Sequence, residues 1–219
     1  MPNYKIGTDD PALAPDKGAG KWCSAPQTLS MLFMKKEIES GLKSGTVEFF
    51  WGLDEASKHL QHYFNNTGDD LSVDLISFMK KSKTFVHKYT EEKYKAIDFC
   101  KKLKAGEYFI TSSSIDSGYF EPDESKDLFY AVGGYIFWGK GKANIKDDEK
   151  NKKRKKIHLD FEFHFFDRYN WDSGKSVKIT ILGKDITVTD QFMGDFHRQC
   201  YAHEFNLRGI YKESVNMEL

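Results

Sequence analysis

The chain has 219 residues, with 33 Lys+Arg against 33 Asp+Glu and a formal net charge of +0. That balance argues against a general nucleic-acid binder, which carries a clear basic excess. Hydrophobic residues at 39% and charged residues at 30% exclude extended disorder. No run of about 18 apolar residues encodes a conventional membrane span, and the first twenty residues lack the apolar core of a signal peptide.

Residues 1–22 are rich in Gly, Pro, Asp and Ala and read as a flexible arm. Residues 23–219 read as a single α+β domain, helical over about 24–105 and β-rich over about 107–211. Ser24 is placed to cap a first helix, with Pro26 in its first turn and Leu29, Leu32 and Phe33 at helical spacing. Thr46 opens a second helix that stops at the Asn65-Asn66-Thr67-Gly68 turn. Residues 71–80 fit either a strand and turn or a short helix. Thr90 caps a third helix, with Glu91 and Glu92 in its first turn, where the dipole favours anions.

From Glu107 the texture changes. Residues 107–112 and 128–138 read as strands, residues 139–145 lead into a third, and Lys146–Lys156 reads as a polar hairpin loop. In Ile157–Asp167 apolar side chains alternate with polar ones, the mark of a strand with one face on a core. A hairpin follows around Gly183-Lys184. A last helix runs from Thr189 or Asp190 through Glu204, and residues 205–211 form a final strand. The fold class expected is therefore α+β, an N-terminal helical half packed on an antiparallel sheet half with one C-terminal helix.

Three cysteines, Cys23, Cys100 and Cys200, stand far apart with no CxxC pair. They read as free thiols of a reducing compartment. Cys23 just before a helix, followed by a strand histidine, also has the order of a papain-like or NlpC/P60-like cysteine hydrolase. Cys23 would then be the nucleophile, His164 or His158 the base, and Asp160 or Glu162 the orienting group. The plainer reading is an inert buried thiol and a solvated strand face with cross-strand charge pairs. His197, Cys200 and His203 beside Glu204 mimic a metal site on a helix, but the spacing is not HExxH and no fourth ligand is implied. No cofactor or metal is expected.

Lys150, Lys152, Lys153, Arg154, Lys155 and Lys156 put six cations in seven residues. Such a cluster suits either a solvated hairpin tip or an anionic membrane surface. The two N-terminal helices carry broad apolar faces. These suit ordinary packing or a helical hairpin that enters a bilayer.

The segment FDRYNWDSGKSV at Phe166–Val177 and the run Ile186–Gly209 form a recurring pattern. A strand ends in an Asp-x-Tyr-x-Trp-Asp corner, and a hairpin, an Asp-capped helix and a Glu-Phe strand follow. With the NNTGDD turn and the AVGGY strand, this resembles bacterial proteins linked to antibacterial toxins and type VI secretion. The resemblance transfers no catalytic residue. It implies a secreted effector made in the bacterial cytoplasm without a signal peptide, carried by a secretion-apparatus component or adaptor and neutralised by an immunity protein. The expected function is a toxin that leaks ions through the target's inner membrane. The alternatives are a cysteine peptidase or amidase acting on peptidoglycan and a non-toxic binding or immunity-type module.

Overall fold

The computed structural model describes residues 4–14, 16–44, 52–147, 155–171, 176–181 and 184–218. It is a mixed α+β fold whose main sheet has seven strands, nearly all antiparallel. The strands are β1 (Tyr4–Ile6), β2 (Leu71–Ser72), β3 (Gly106–Ser112), β4 (Asp116–Tyr119), β5 (Gly134–Asp147), β6 (Lys155–Tyr169) and β9 (Phe205–Glu218). Their order is β1-β3-β5-β6-β9-β2, with β4 pairing β5 alongside. β2 is parallel to β9, and β7 (Ser176–Ile181) and β8 (Lys184–Thr189) form a separate hairpin. Because β1 and β2 come from the N-terminal part of the chain and enter the sheet, helices and strands are not segregated into two halves.

The alternation read in β6 holds. Ile157, Leu159, Phe161, Phe163 and Phe165 are all buried on one face. Against that face lie α3 (Leu75–Lys81) and α4 (Lys83–Cys100). Phe85 of α4 has ring contacts with Phe78, Phe120, Tyr135, Phe163 and Phe165 at centroid distances of 5.4–6.1 Å. Edge-to-face packing of this kind adds to the area each ring buries. At the far end of β6, α2 (Asp54–Asn65) and α6 (Asp190–Arg198) pack through Tyr63, Phe64 and Phe196.

Several element boundaries differ from the sequence reading. α1 spans Leu29–Ser44, not a helix from Ser24. Residues 23 and 25 instead bond through their N–H groups to the carbonyls of His197 and Arg198, which holds that segment out of helix until Thr28. α4 starts at Ser82, whose hydroxyl accepts from the Phe85 N–H. Thr90 lies in mid-helix with its hydroxyl donating to the Val86 carbonyl, and Glu92 is buried rather than in a first turn. Residues 126–131 form a short helix, α5, so the expected strand at 128–138 begins only at Gly134. Gly133, at φ 74°, makes that change of direction. Residues 71–81 hold a short strand and then a helix, and α2 ends at Asn66 in the left-handed conformation at φ 63°. The second helix was expected from residue 46, but 45–51 fall outside the described residues.

Gly139 and Gly141 belong to β5. A Cβ at Gly139 would collide with the Tyr4 hydroxyl and the Phe161 ring. The missing side chain is what lets Tyr4 of β1 reach across the sheet.

Candidate functional site

A polar cluster forms where the N-terminal segment meets the turn after α6. α6 ends at Arg198 and β9 begins at Phe205, so residues 199–204 form the turn. Thr189 caps α6, its hydroxyl accepting from the Phe192 N–H, and Cys200 takes a left-handed φ of 62°. His197, Cys200 and His203 are therefore not on one helix, as spacing alone suggested. The turn nevertheless brings them together, with the His197 and His203 rings 5.4 Å apart.

Cys23 and Cys200 form a disulfide across a sequence separation of 177, with Cα atoms 4.7 Å apart. This corrects two expectations. The thiols are not both free, and the thiolate that a hydrolase would need at Cys23 is tied up as a sulfur–sulfur bond. Nor does Cys23 sit at a helix start. The partnership was hidden because the two residues lie at opposite ends of the chain. Cys100 remains a free thiol, and burial raises its pKa to about 11, which makes it inert at neutral pH.

Glu204 is the cluster's anchor. Its side chain is wholly buried and accepts from the Ala19 N–H at 2.8 Å, the Trp171 N–H at 3.0 Å and Arg168 Nη2 at 3.4 Å. A carboxylate out of water is tolerable only with such partners. Gly18, at φ 64°, passes directly over Glu204, and a Cβ there would strike the carboxylate. His197 uses both ring nitrogens: Nδ1 accepts the Glu204 N–H at 3.1 Å and Nε2 lies 3.1 Å from the Gly20 carbonyl. Trp22 stacks on His203 at 4.5 Å and donates from Nε1 to the Ala202 carbonyl. Burial lowers the pKa of both histidines, opposed in part by Glu204. The expected arm is thus a strap, tied at Ala19, Gly20, Trp22 and Cys23.

The strap crosses the face of the sheet that the helices leave open. Asp10 accepts from Trp138 Nε1 at 2.9 Å and pairs with Lys140 at 2.9 Å. Burial raises its pKa, but these bonds outweigh that and hold it below the usual carboxylate range. On the same face lie His158, Asp160, Glu162 and His164. His164 stacks on Trp138 at 5.1 Å and lies 3.0 Å from Glu162. Burial lowers its pKa, while Glu162 pulls it upward. Asp160 accepts from Ser214 at 2.5 Å, the main cause of its lowered pKa, and lies 3.3 Å from His158. Glu162 takes 2.6 Å from Lys212. Trp138–His164, Asp160–Ser214 and Glu162–Lys212 are cross-strand pairs, and His158–Asp160 and Glu162–His164 are neighbours along β6. Cys23 is bonded to Cys200, while His164 finds its partners in Trp138 and Glu162 and Asp160 in Ser214 and His158, so the Cys-His-Asp constellation of the hydrolase alternative is not assembled. Among the described residues, no group of three or more His, Cys, Asp and Glu side chains is placed to hold a metal.

Of the basic run, Lys150, Lys152, Lys153 and Arg154 lie outside the described residues. Lys155 does not face a ligand: its ammonium donates to the Lys101 and Leu103 carbonyls just past the end of α4. Lys156 pairs with Glu218 at 3.3 Å.

α1 carries the most exposed apolar side chains near the cluster. Leu29 is 72% and Phe33 62% exposed, one helical turn apart on the same side. Its buried residues are Met31, Ile38 and Gly41, and Lys35 ties it to the cluster by donating to the Phe64 and Tyr201 carbonyls at 2.7 Å each. Comparison with known protein families, with characterised proteins and with solved structures finds no match.

Proposed function

We propose that this protein is a secreted antibacterial effector that acts at the inner membrane of a target cell, leaks ions, and is held in check in its producer by a cognate immunity protein. The observation that carries the reading is α1, whose Leu29 and Phe33 stand in solvent on a helix with only three buried positions. A 16-residue helix is about 24 Å long, shorter than the roughly 30 Å hydrocarbon core. No helix among the described residues is long and apolar enough to cross a membrane. The membrane contact that suits α1 is therefore interfacial, with its apolar side in the acyl boundary. The disulfide supports action in an oxidising compartment such as the periplasm. Delivery by a secretion-apparatus component or adaptor follows from the resemblance of the C-terminal half.

The test is ion leakage from anionic-lipid vesicles by the purified oxidised protein. Wild type should leak ions. Phe33→Asp, at an exposed position, should fold with an unchanged melting temperature and lose most of the leakage. Equal leakage by Phe33→Asp, or none by wild type, would contradict the reading.

A second reading, a non-toxic binding module, is favoured by the open face of the sheet. There Lys140, Glu162 and Lys212 alternate in sign across three strands. Growth of a bacterial host unaffected by the protein in either compartment would support it.

A further inference from the structure

β9 is hydrogen-bonded to β6 along its whole length, from Tyr169↔Phe205 to Lys156↔Glu218. On its other side β2 covers only Leu207 and Arg208, and Val73 adds one bond to the Arg208 carbonyl. From Gly209 to Glu218 no strand pairs this edge among the described residues. A long bare edge is a template for another strand. We propose that it pairs antiparallel with β9 of a second copy of this chain, about a two-fold axis through Val215, joining two sheets into one.

The register follows from the side chains. A two-fold keeps each face of the sheet on the same side, so opposed residues must share a face. With the axis at Val215, Lys212 lies opposite Glu218 of the second copy and Ser214 opposite its Asn216. On the open face, the row Lys140–Glu162–Lys212 then continues into Glu218 and Lys156 of the second copy, alternating in sign throughout. On the core face, Leu159 and Val215 meet Val215 and Leu159 of the second copy in one apolar row. Registers set towards Gly209 are less favourable. An axis at Lys212 opposes two lysines, and one at Glu213 opposes two glutamates. One at Ser214 drives the second strand towards Gly209, where Leu75 and Val73 already pack.

The experiment uses the full chain, by sedimentation and by cross-linking. Residues opposed across an antiparallel seam have Cα atoms about 4.5–5.5 Å apart, within disulfide reach. Val215→Cys should therefore give a covalent dimer on a non-reducing gel, and Ser214→Cys should not. Wild type should sediment as a dimer. Glu218→Lys should weaken it about tenfold, as expected for two symmetric exposed ion pairs, and Lys212→Glu with Glu218→Lys should restore it. A monomer at all concentrations, failure of Val215→Cys to cross-link, or a dimer indifferent to Glu218→Lys would overturn the proposal.

Discussion

Glu204 shows how one carboxylate organises a segment of chain far from it in sequence. Its bonds to the Ala19 and Trp171 amides and to Arg168 hold the strap against the sheet end. Glu204→Gln keeps the size and removes the charge. It should lower stability by about 1.5–3 kcal/mol, the worth of charged hydrogen bonds, and open Lys17 and Lys21 to trypsin. A urea titration and a timed digest check both. Ser112 is a second such residue, donating to Glu92 at 2.5 Å while accepting the Gly139 N–H at 3.1 Å. Ser112→Ala should cost about 1–3 kcal/mol because the Gly139 N–H loses its hydroxyl partner in the core and Glu92 is left to Lys95, again read from the urea midpoint.

The histidines set a pH dependence. Burial lowers the pKa of His59, His164, His197 and His203. Each folded-state value is depressed, so the unfolded chain binds more protons as the pH falls below the ordinary imidazole value of about 6.5. Their contribution to stability is complete above that value and is lost as the pH drops through the lowered folded values. The urea midpoint should therefore fall between about pH 7.5 and about pH 5. A flat profile over that span would mean that the histidines are not held neutral.

At the scale of elements, the sequence was most legible where a period was long and uninterrupted. β6 was readable, because alternation over many residues leaves one face to bury, and Gly183-Lys184 between two apolar runs marked the β7–β8 hairpin. Boundaries set by tertiary contacts were not. Ser24 has the chemistry of a cap, yet the carbonyls of His197 and Arg198 claim the adjacent backbone. Ser82, the real cap of α4, stands in a lysine-rich stretch with no pattern to mark it. Starting the helix at Thr90 left out the first part of its buried stripe, Phe85 and Tyr89, which continues through Ala96 and Ile97. That stripe can be tested. Phe85→Ala removes the ring shared by five aromatic neighbours and should cost about 3–5 kcal/mol, seen as a large drop in the urea midpoint with little change in secondary structure of the folded fraction.

Across the whole molecule, the candidate site was legible only as residue types. His197, Cys200, His203 and Glu204 were singled out, but on the wrong element, and the partner that gives them a common role is the strap. Nothing local in residues 10–23 signals that they cross the sheet and close a disulfide at its far end. The Cys23–Cys200 bridge closes most of the chain into one loop, and its entropic effect on the unfolded state is of the order of 2–4 kcal/mol. Cys23→Ser with Cys200→Ser should lower the urea midpoint of oxidised protein accordingly and leave the reduced wild type and the variant alike. The bridge also bears on compartment, since the clamped form belongs where thiols are oxidised.

The central claim is ion leakage at the inner membrane from the oxidising side. The most direct measurement is membrane potential, recorded with uptake of a large dye, in a bacterial host making the protein with and without periplasmic targeting. The account predicts rapid depolarisation without dye entry or lysis when the protein is directed to the periplasm. Lysis with release of cell-wall fragments, or an unchanged potential in both compartments, would contradict it.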